Sequence, residues 1–234
     1  MIRLYVDSHF EVGAELELPA SETRYLTSVR RGMGDIEVFN RSGQVGSAER
    51  LGRTSVRITK VWESKVPLQA LRMSLALPDR NLLPGLITSL SEMGVESLRF
   101  FCGDRSQAAL KRISSLNSES RWNKLAIESM RQCARPTPIQ LQFAEVDLED
   151  LSFASNESVF FFDEATETSE SGEVKSNEDN FHVILGPEGG WSERERELSR
   201  RLKWRTVHLP TPILRVETAA VAAASWAIVH RKKI

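Results

Sequence analysis

Val183-Ile184-Leu185-Gly186-Pro187-Glu188-Gly189-Gly190-Trp191-Ser192-Glu193-Arg194-Glu195 runs from an apolar strand through a glycine-rich turn into a helix. The apolar run reads as a buried strand. Ser192 followed three residues later by Glu195 has capping-box spacing, so the helix start is well specified. Three glycines before that start admit positive φ and close backbone approach. In an open parallel sheet such a strand-end turn is where ligands sit. Read locally, it is equally a tight connection that merely needs glycine. No Gly-Lys-Ser/Thr follows and the spacing is not G-x-G-x-x-G, which argues against a phosphate-cradling nucleotide site.

Further along, Leu209-Pro210-Thr211-Pro212-Ile213-Leu214-Arg215-Val216-Glu217-Thr218-Ala219-Ala220 reads as a strand end, a stiff double-proline turn and a helix starting near Val216. Ile213 and Leu214 in a turn either plug the core or wall a ligand pocket. Glu217 in the first helical turn suits the helix dipole. The small-residue face Ala219, Ala222, Ala223 with Trp226 fits core or a subunit interface. Arg215, at the mouth of the sheet, is placed to meet a substrate or a carboxylate. Two basic stretches complete the candidates: Gly103-Asp104-Arg105-Ser106 after a strand, with Lys111 and Arg112 behind it, and the helix Arg121 to Arg135, with Arg131, Gln132 and Arg135 near its end.

Around these segments the pattern divides at Pro67. Residues 1–67 read as short strands, at Arg3–Val6, Glu15–Leu18, Ile36–Phe39 and Ser55–Val61, with turn chemistry at Gly32–Asp35 and Arg41–Gln44; this predicts a small β-barrel. Residues 68–234 alternate strand and helix. Strands fall at Leu71–Leu77, Ser97–Cys102, Val159–Phe162 and His182–Leu185. Helical spacing appears at Leu83, Leu86, Ile87, Leu90 and Met93 (closed by Gly94), at Trp122, Leu125, Ala126, Ser129 and Cys133, and over Ser192–Trp204 and Val216–His230. The class is α/β, with a mostly parallel sheet covered on both faces.

The 234 residues hold 31 Lys plus Arg against 32 Asp plus Glu, a net charge of −1 that taken alone argues against a polyanion partner. The average hides segregation. Residues 145–180 hold 12 acidic and 1 basic residue, residues 99–144 hold 8 basic and 3 acidic, and residues 181–234 hold 10 basic and 5 acidic. The acidic stretch reads as a solvated surface excursion from a chain that is otherwise basic. The two cysteines, Cys102 and Cys133, are too few for a disulfide framework. No metal-ligand cluster, secretory leader or membrane-length apolar run is visible, so a cytoplasmic location is expected.

Together these motifs resemble the RsmE family of ribosomal RNA methyltransferases, in the SPOUT (trefoil-knot) class. Leu185-Gly186-Pro187-Glu188-Gly189-Gly190 followed by an aromatic and Ser is the family's most specific signature, and Ile213-Leu214-Arg215-x-Glu217-Thr218-Ala219 its partner. Ser91-Glu92-Met93-Gly94-Val95, Asp104-Arg105-Ser106, Gln132-Cys133-x-Arg135 and Val29-Arg30 with Gly34-Asp35 match further elements, so the likeness covers nearly the whole chain. Asp79 and Ser89 stand where the family carries lysines, Pro210 and Pro212 replace a glycine and a basic residue, and Met130-Arg131 replaces a small–acidic pair.

The resemblance implies a PUA-like RNA-binding barrel over residues 1–67 and a SPOUT methyltransferase domain over 68–234. The implied activity is S-adenosylmethionine-dependent methylation of N3 of a uridine in 16S ribosomal RNA. It places the cofactor on Leu185, Gly186, Pro187, Glu188, Gly189, Gly190, Leu209, Ile213, Leu214, Arg215, Glu217, Thr218 and Ala219, with Asp163 and Glu164 beside it. Arg215 would stabilise the developing uracil anion, and Arg30, Arg105, Arg131 and Arg135 would hold RNA. A homodimer acting on the small ribosomal subunit, with no membrane partner, is implied too. Two other readings stay open: a SPOUT enzyme for another RNA position or a ribose 2′-hydroxyl, and a non-catalytic RNA-binding or assembly protein.

Overall fold

Apolar alternation near the N-terminus produces strands β1 (Ile2–Tyr5), β2 (Glu15–Glu17), β3 (Ile36–Phe39), β4 (Gln44–Arg50) and β5 (Ser55–Glu63), with helix α1 (Ala20–Ser28) between β2 and β3. They form one curled sheet ordered β1-β3-β4-β5-β2, parallel between β1 and β3 and antiparallel elsewhere. The computed structural model describes residues 1–28, 35–64, 69–109, 116, 120–135, 137–165 and 180–230. Leu4, Phe10, Val38, Val56 and Ile58 fill the core of this sheet. Residues Met1–Leu68 together with Ile127–Pro138 make one compact unit, and Gln69–Ala126 with Ile139–Ile234 the other. The segment 127–138 was read from the sequence as part of the second domain. The Gly32–Asp35 turn (apart from Asp35) and the Pro67 boundary lie outside the described residues.

Helix α1 and strand β4 were not anticipated. The inward face of α1 joins buried Leu26 to a carboxylate: buried Glu22 accepts the Tyr5 backbone N–H at 3.1 Å and two contacts from Arg131 Nη2 at 2.7 and 2.8 Å. Strand β4, Gln-Val-Gly-Ser-Ala-Glu-Arg, lacks bulky alternation because its neighbour presses close; a Cβ on Gly46 would lie 2.8 Å from the Lys60 carbonyl oxygen.

Two arginines expected to hold RNA are spent on this first unit instead. Arg131 is paired with Glu22 and lies 4.4 Å over the Tyr25 ring. Arg135 is 2% exposed and donates from Nε to the Thr137 carbonyl at 2.6 Å. Beside them Met130 packs on Tyr5, Phe39 and Val45, and Arg3 Nη1 donates to the Met130 and Arg131 carbonyls at 3.1 and 3.2 Å.

The second unit holds β6 (Gln69–Ala76), α2 (Leu83–Glu92), β7 (Val95–Cys102), the start of α3 (Ser120–Cys133), β8 (Gln140–Asp147), β9 (Ser158–Phe162), β10 (Phe181–Leu185), α4 (Glu193–Arg201), β11 (Arg205–Val207) and α5 (Val216–His230). All six strands are parallel, ordered β11-β9-β10-β6-β7-β8. One face, with Met73, Leu75, Phe160 and Val183, packs against α2 and α5; the other, with Phe101, Phe161 and Ile184, packs against Trp191, Leu198 and Leu148. Covering both faces explains the near-continuous apolar runs of β9 and β10. The edge strand β8 was not anticipated, because Phe143 is its one buried residue and it ends in Glu145, Val146 and Asp147. Strand order changes direction where β10 inserts between β6 and β9, and that reversal opens a crevice at the carboxyl ends.

At the other end of the second face lies a buried polar chain. Ser74 Oγ and His182 Nε2 are 2.8 Å apart, His182 Nδ1 and Glu157 Oε1 3.4 Å, and Arg72 Nη1 donates to Glu157 Oε1 at 2.6 Å. The set is satisfied by a neutral imidazole that carries its proton on Nδ1 and accepts from Ser74. Burial pushes the His182 pKa down against the pull of Glu157, while the His182 and Arg72 hydrogen bonds hold the Glu157 carboxyl at about 2. Because His182 resists protonation in the fold, its contribution is whole above about 6.5 and is lost as pH falls below that value; the Glu157 share is lost below about 4.5. Thermal melts should therefore decline from pH 7 to 5, and His182→Gln should flatten that decline. An equal decline in wild type and variant would contradict this assignment.

Candidate active site

Three strands end at one level and floor a cleft. Leu185 of β10 stands beside Phe162 of β9, and Phe162 beside Val207 of β11. The glycine loop Gly186–Gly190 forms one wall and the loop Leu209–Leu214 the other, enclosing about 820 Å³ of non-atom space including the open mouth. Val216 and Ala219, at the start of α5, close the back.

The glycine loop is held by its own sequence. Trp191 is fully buried and donates from Nε1 to the Phe162 carbonyl at 2.7 Å, its ring stacked 4.3 Å from Phe161. Gly186 exists to admit that ring, since a Cβ there would lie 2.9 Å from Trp191 Cε2. The expected capping box is present: Glu195 N–H donates to Ser192 Oγ at 3.2 Å, and Ser192 N–H to Glu195 Oε2 at 2.8 Å. The other oxygen of Glu195 accepts from Asp104 N–H at 3.0 Å, Ser192 Oγ donates to Asp104 Oδ2, and Arg194 grips both Asp104 oxygens at 2.5 and 3.1 Å. The Arg194 guanidinium beside Asp104 holds that carboxyl below its usual range. Asp104-Arg105-Ser106 is thereby latched to the glycine loop, and Arg105 Nη1 donates to the Gly189 carbonyl at 2.6 Å.

Of the residues expected at the cofactor, Leu185, Gly186, Pro187, Glu188, Gly190, Leu209, Ile213, Leu214 and Ala219 line the cleft. Gly189 faces Arg105, and Arg215, Glu217 and Thr218 lie outside the lining. Arg215 is exposed between two lining residues, Leu214 and Val216. Arg105 is exposed beside the glycine loop, whereas Arg30, Lys111 and Arg112 lie outside the described residues. Phe162, Val207, His208, Thr211, Pro212 and Val216 also line the cleft and were missed. The first two are strand-terminal residues whose alignment depends on strand order. Ile213, 89% exposed, projects at the lip as an uncovered apolar side chain.

The charge of the lining is one-sided. It contains the carboxylates of Asp163, Glu164 and Glu188 and, among the described residues, no Lys or Arg. Asp163 is buried and accepts from Arg196 Nε at 2.7 Å and Nη2 at 3.1 Å. A Cβ at Gly190, whose φ is +69°, would fall 2.5 Å from Glu164 Oε1, so the glycine leaves room for that carboxylate. A largely apolar lining that also carries carboxylates fits a ligand that is part aromatic and part cationic. Among the described residues no group of His, Cys, Asp and Glu is placed to hold a metal ion.

A six-stranded parallel sheet with a glycine-walled cleft at its carboxyl ends defines an α/β enzyme domain of the ligand-at-strand-end kind. The chain belongs to the RNA methyltransferase domain family, whose model matches residues 65–228. It is 28% identical over 172 residues to the ribosomal RNA small subunit methyltransferase E of Aquifex aeolicus, covering 73% of each chain. The same-named protein of Rickettsia conorii is 26% identical over 94% of this chain and 92% of its own. Among solved structures, the ribosomal RNA small subunit methyltransferase E of Neisseria gonorrhoeae bound to S-adenosyl methionine superposes with a TM-score of 0.84 at 22% identity, over 98% of this chain and 97% of that one. A Legionella pneumophila protein in complex with the same cofactor gives 0.78 at 22% identity, over 100% and 99%. These superpositions establish the fold: a barrel-like sheet followed by an all-parallel methyltransferase sheet.

Proposed function

We propose that this chain methylates N3 of a uridine in 16S ribosomal RNA of the small subunit, using S-adenosylmethionine. The observation that carries the reading is the cleft between Leu185–Gly190 and Leu209–Leu214, whose lining is largely apolar and carries the carboxylates of Asp163, Glu164 and Glu188, in a chain of an RNA methyltransferase family. Leu185, Val207, Leu209 and Leu214 would hold the adenosine part, and Asp163 and Glu164 would face the charged end. When bound, the cofactor supplies an electrophilic methyl group on a cationic sulfur. The chain's own work is to bring the acceptor base into line, exclude water and ease the loss of the N3 proton. We assign the last task to Arg215, whose exposed guanidinium at the cleft lip can meet negative charge growing on the uracil oxygens. The base must leave its stack to reach the methyl. Arg105, beside the glycine loop, is placed to meet a neighbouring phosphate.

The same reading includes a cytoplasmic homodimer and a knotted last segment. The knot reading draws on β10 lying between β6 and β9, both of which precede it in the chain. The test is methyl transfer from labelled cofactor to small-subunit RNA from a strain lacking the enzyme, followed by mass mapping. One N3-methyluridine is expected. A ribose 2′-O-methyl product, another base, or no incorporation would sink the assignment.

A further inference from the structure

We infer that Glu164 makes the cleft select the methyl-bearing, cationic form of the cofactor over the spent, uncharged-sulfur form. This deepens the proposed function and rests on it. The three carboxylates of the lining are not equivalent. Asp163 has both oxygens engaged by Arg196 and is buried, so its charge is matched locally. Glu188 is exposed on the glycine loop, and its Oε1 accepts the Asp79 backbone N–H at 3.3 Å. Glu164 is paired with Arg196, whose Nη2 lies 4.0 Å away and also donates to Asp163, and the Arg105 guanidinium stands beside the same Gly190 backbone. The Glu164 carboxylate is held over the backbone of Gly190, in space that any larger residue would occupy. Glu164 and Glu188 are thus the two carboxylates of the lining that accept no hydrogen bond from a cation among the described residues, and Glu164 is the one set against the Gly190 backbone.

Loss of the methyl group converts a sulfonium into a neutral thioether and leaves the adenosine, amino and carboxylate groups unchanged. A carboxylate bordering the sulfur of a bound cofactor would distinguish the two forms by charge alone. At a half-exposed site (Glu164 is 49% exposed) the attraction is partly screened. An effect of about five-fold in affinity is the scale to expect. The same bias loosens the spent cofactor after transfer and so favours exchange.

The experiment is calorimetric titration of the full chain and of Glu164→Gln with S-adenosylmethionine and with S-adenosylhomocysteine, at low and at high salt. Glu164→Gln should weaken the first about five-fold and the second less than two-fold, with the gap narrowing as salt rises. Melts of the two proteins without ligand should coincide, because the side chain is half-exposed and supports no core contact. Equal weakening of both ligands would mean that Glu164 holds a group they share, and would overturn the inference; so would no change in either. Failure of the wild type to bind either ligand would sink the proposed function as well, whereas tight binding with an unaltered ratio would sink this inference alone.

Discussion

Trp191→Ala is expected to lower the melting temperature by about 10 °C and to weaken cofactor binding at the same time. Trp191 is fully buried, stacked between Phe161 at 4.3 Å and Phe101 at 6.4 Å. Truncating a buried aromatic of this size costs roughly 3–5 kcal/mol, and each kcal/mol shifts the midpoint of a chain this long by roughly 2–4 °C. The Phe162 carbonyl also loses its 2.7 Å donor at the strand end that floors the cleft. Trp191→Phe restores part of the packing and none of that hydrogen bond, so it should recover stability more than affinity. A melt within about 2 °C of wild type would show that the ring is not what holds the glycine loop. Gly186 belongs to the same contact, because a Cβ there meets the ring at 2.9 Å.

That contact also shows where reading the sequence stops. Glycines 186, 189 and 190 were read as room for a ligand. In the fold Gly186 makes room for Trp191, Gly189 faces Arg105 and Gly190 accommodates Glu164, while 186 and 190 still line the cleft. Glycine in a motif reports a close approach, but not by what. The parallel strands were legible because β9 and β10, buried on both faces, leave an unbroken apolar trace, and the capping box because its chemistry is local. Helix α1 was illegible because its docking depends on Glu22 meeting Tyr5 and Arg131, and Arg131 lies 109 positions away. The same pair turned a predicted RNA contact into a structural one.

The cleft itself was half legible. Its two loops announce themselves by glycine and proline, yet their convergence depends on β10 inserting between β6 and β9 and on β11 flanking β9, which no local pattern encodes. Asp163 and Glu164, expected beside the cofactor, both line the cleft; residues 166–179 lie outside the described residues.

Arg215→Ala should reduce methyl transfer about 100-fold and leave cofactor affinity within two-fold of wild type. The two halves follow from one placement. The backbone of Arg215 begins the last helix, its carbonyl accepting from Ala219 N–H at 2.8 Å, while its side chain is exposed and outside the cleft lining. Among the described residues no carboxylate pairs with it. Uracil N3 is weakly acidic, and negative charge gathers on its oxygens as the proton leaves and the methyl arrives. Removing one positioned donor for such charge costs roughly 10²–10³ in rate. Arg215→Lys keeps the charge but loses the planar fork, so partial recovery is expected. Single-turnover methylation beside calorimetric affinity separates the two quantities. Near-full transfer by the alanine variant, or a rate loss accounted for by weaker cofactor binding, would remove Arg215 from the mechanism and leave Arg105, already anchored to Gly189, as the nearer cation to consider.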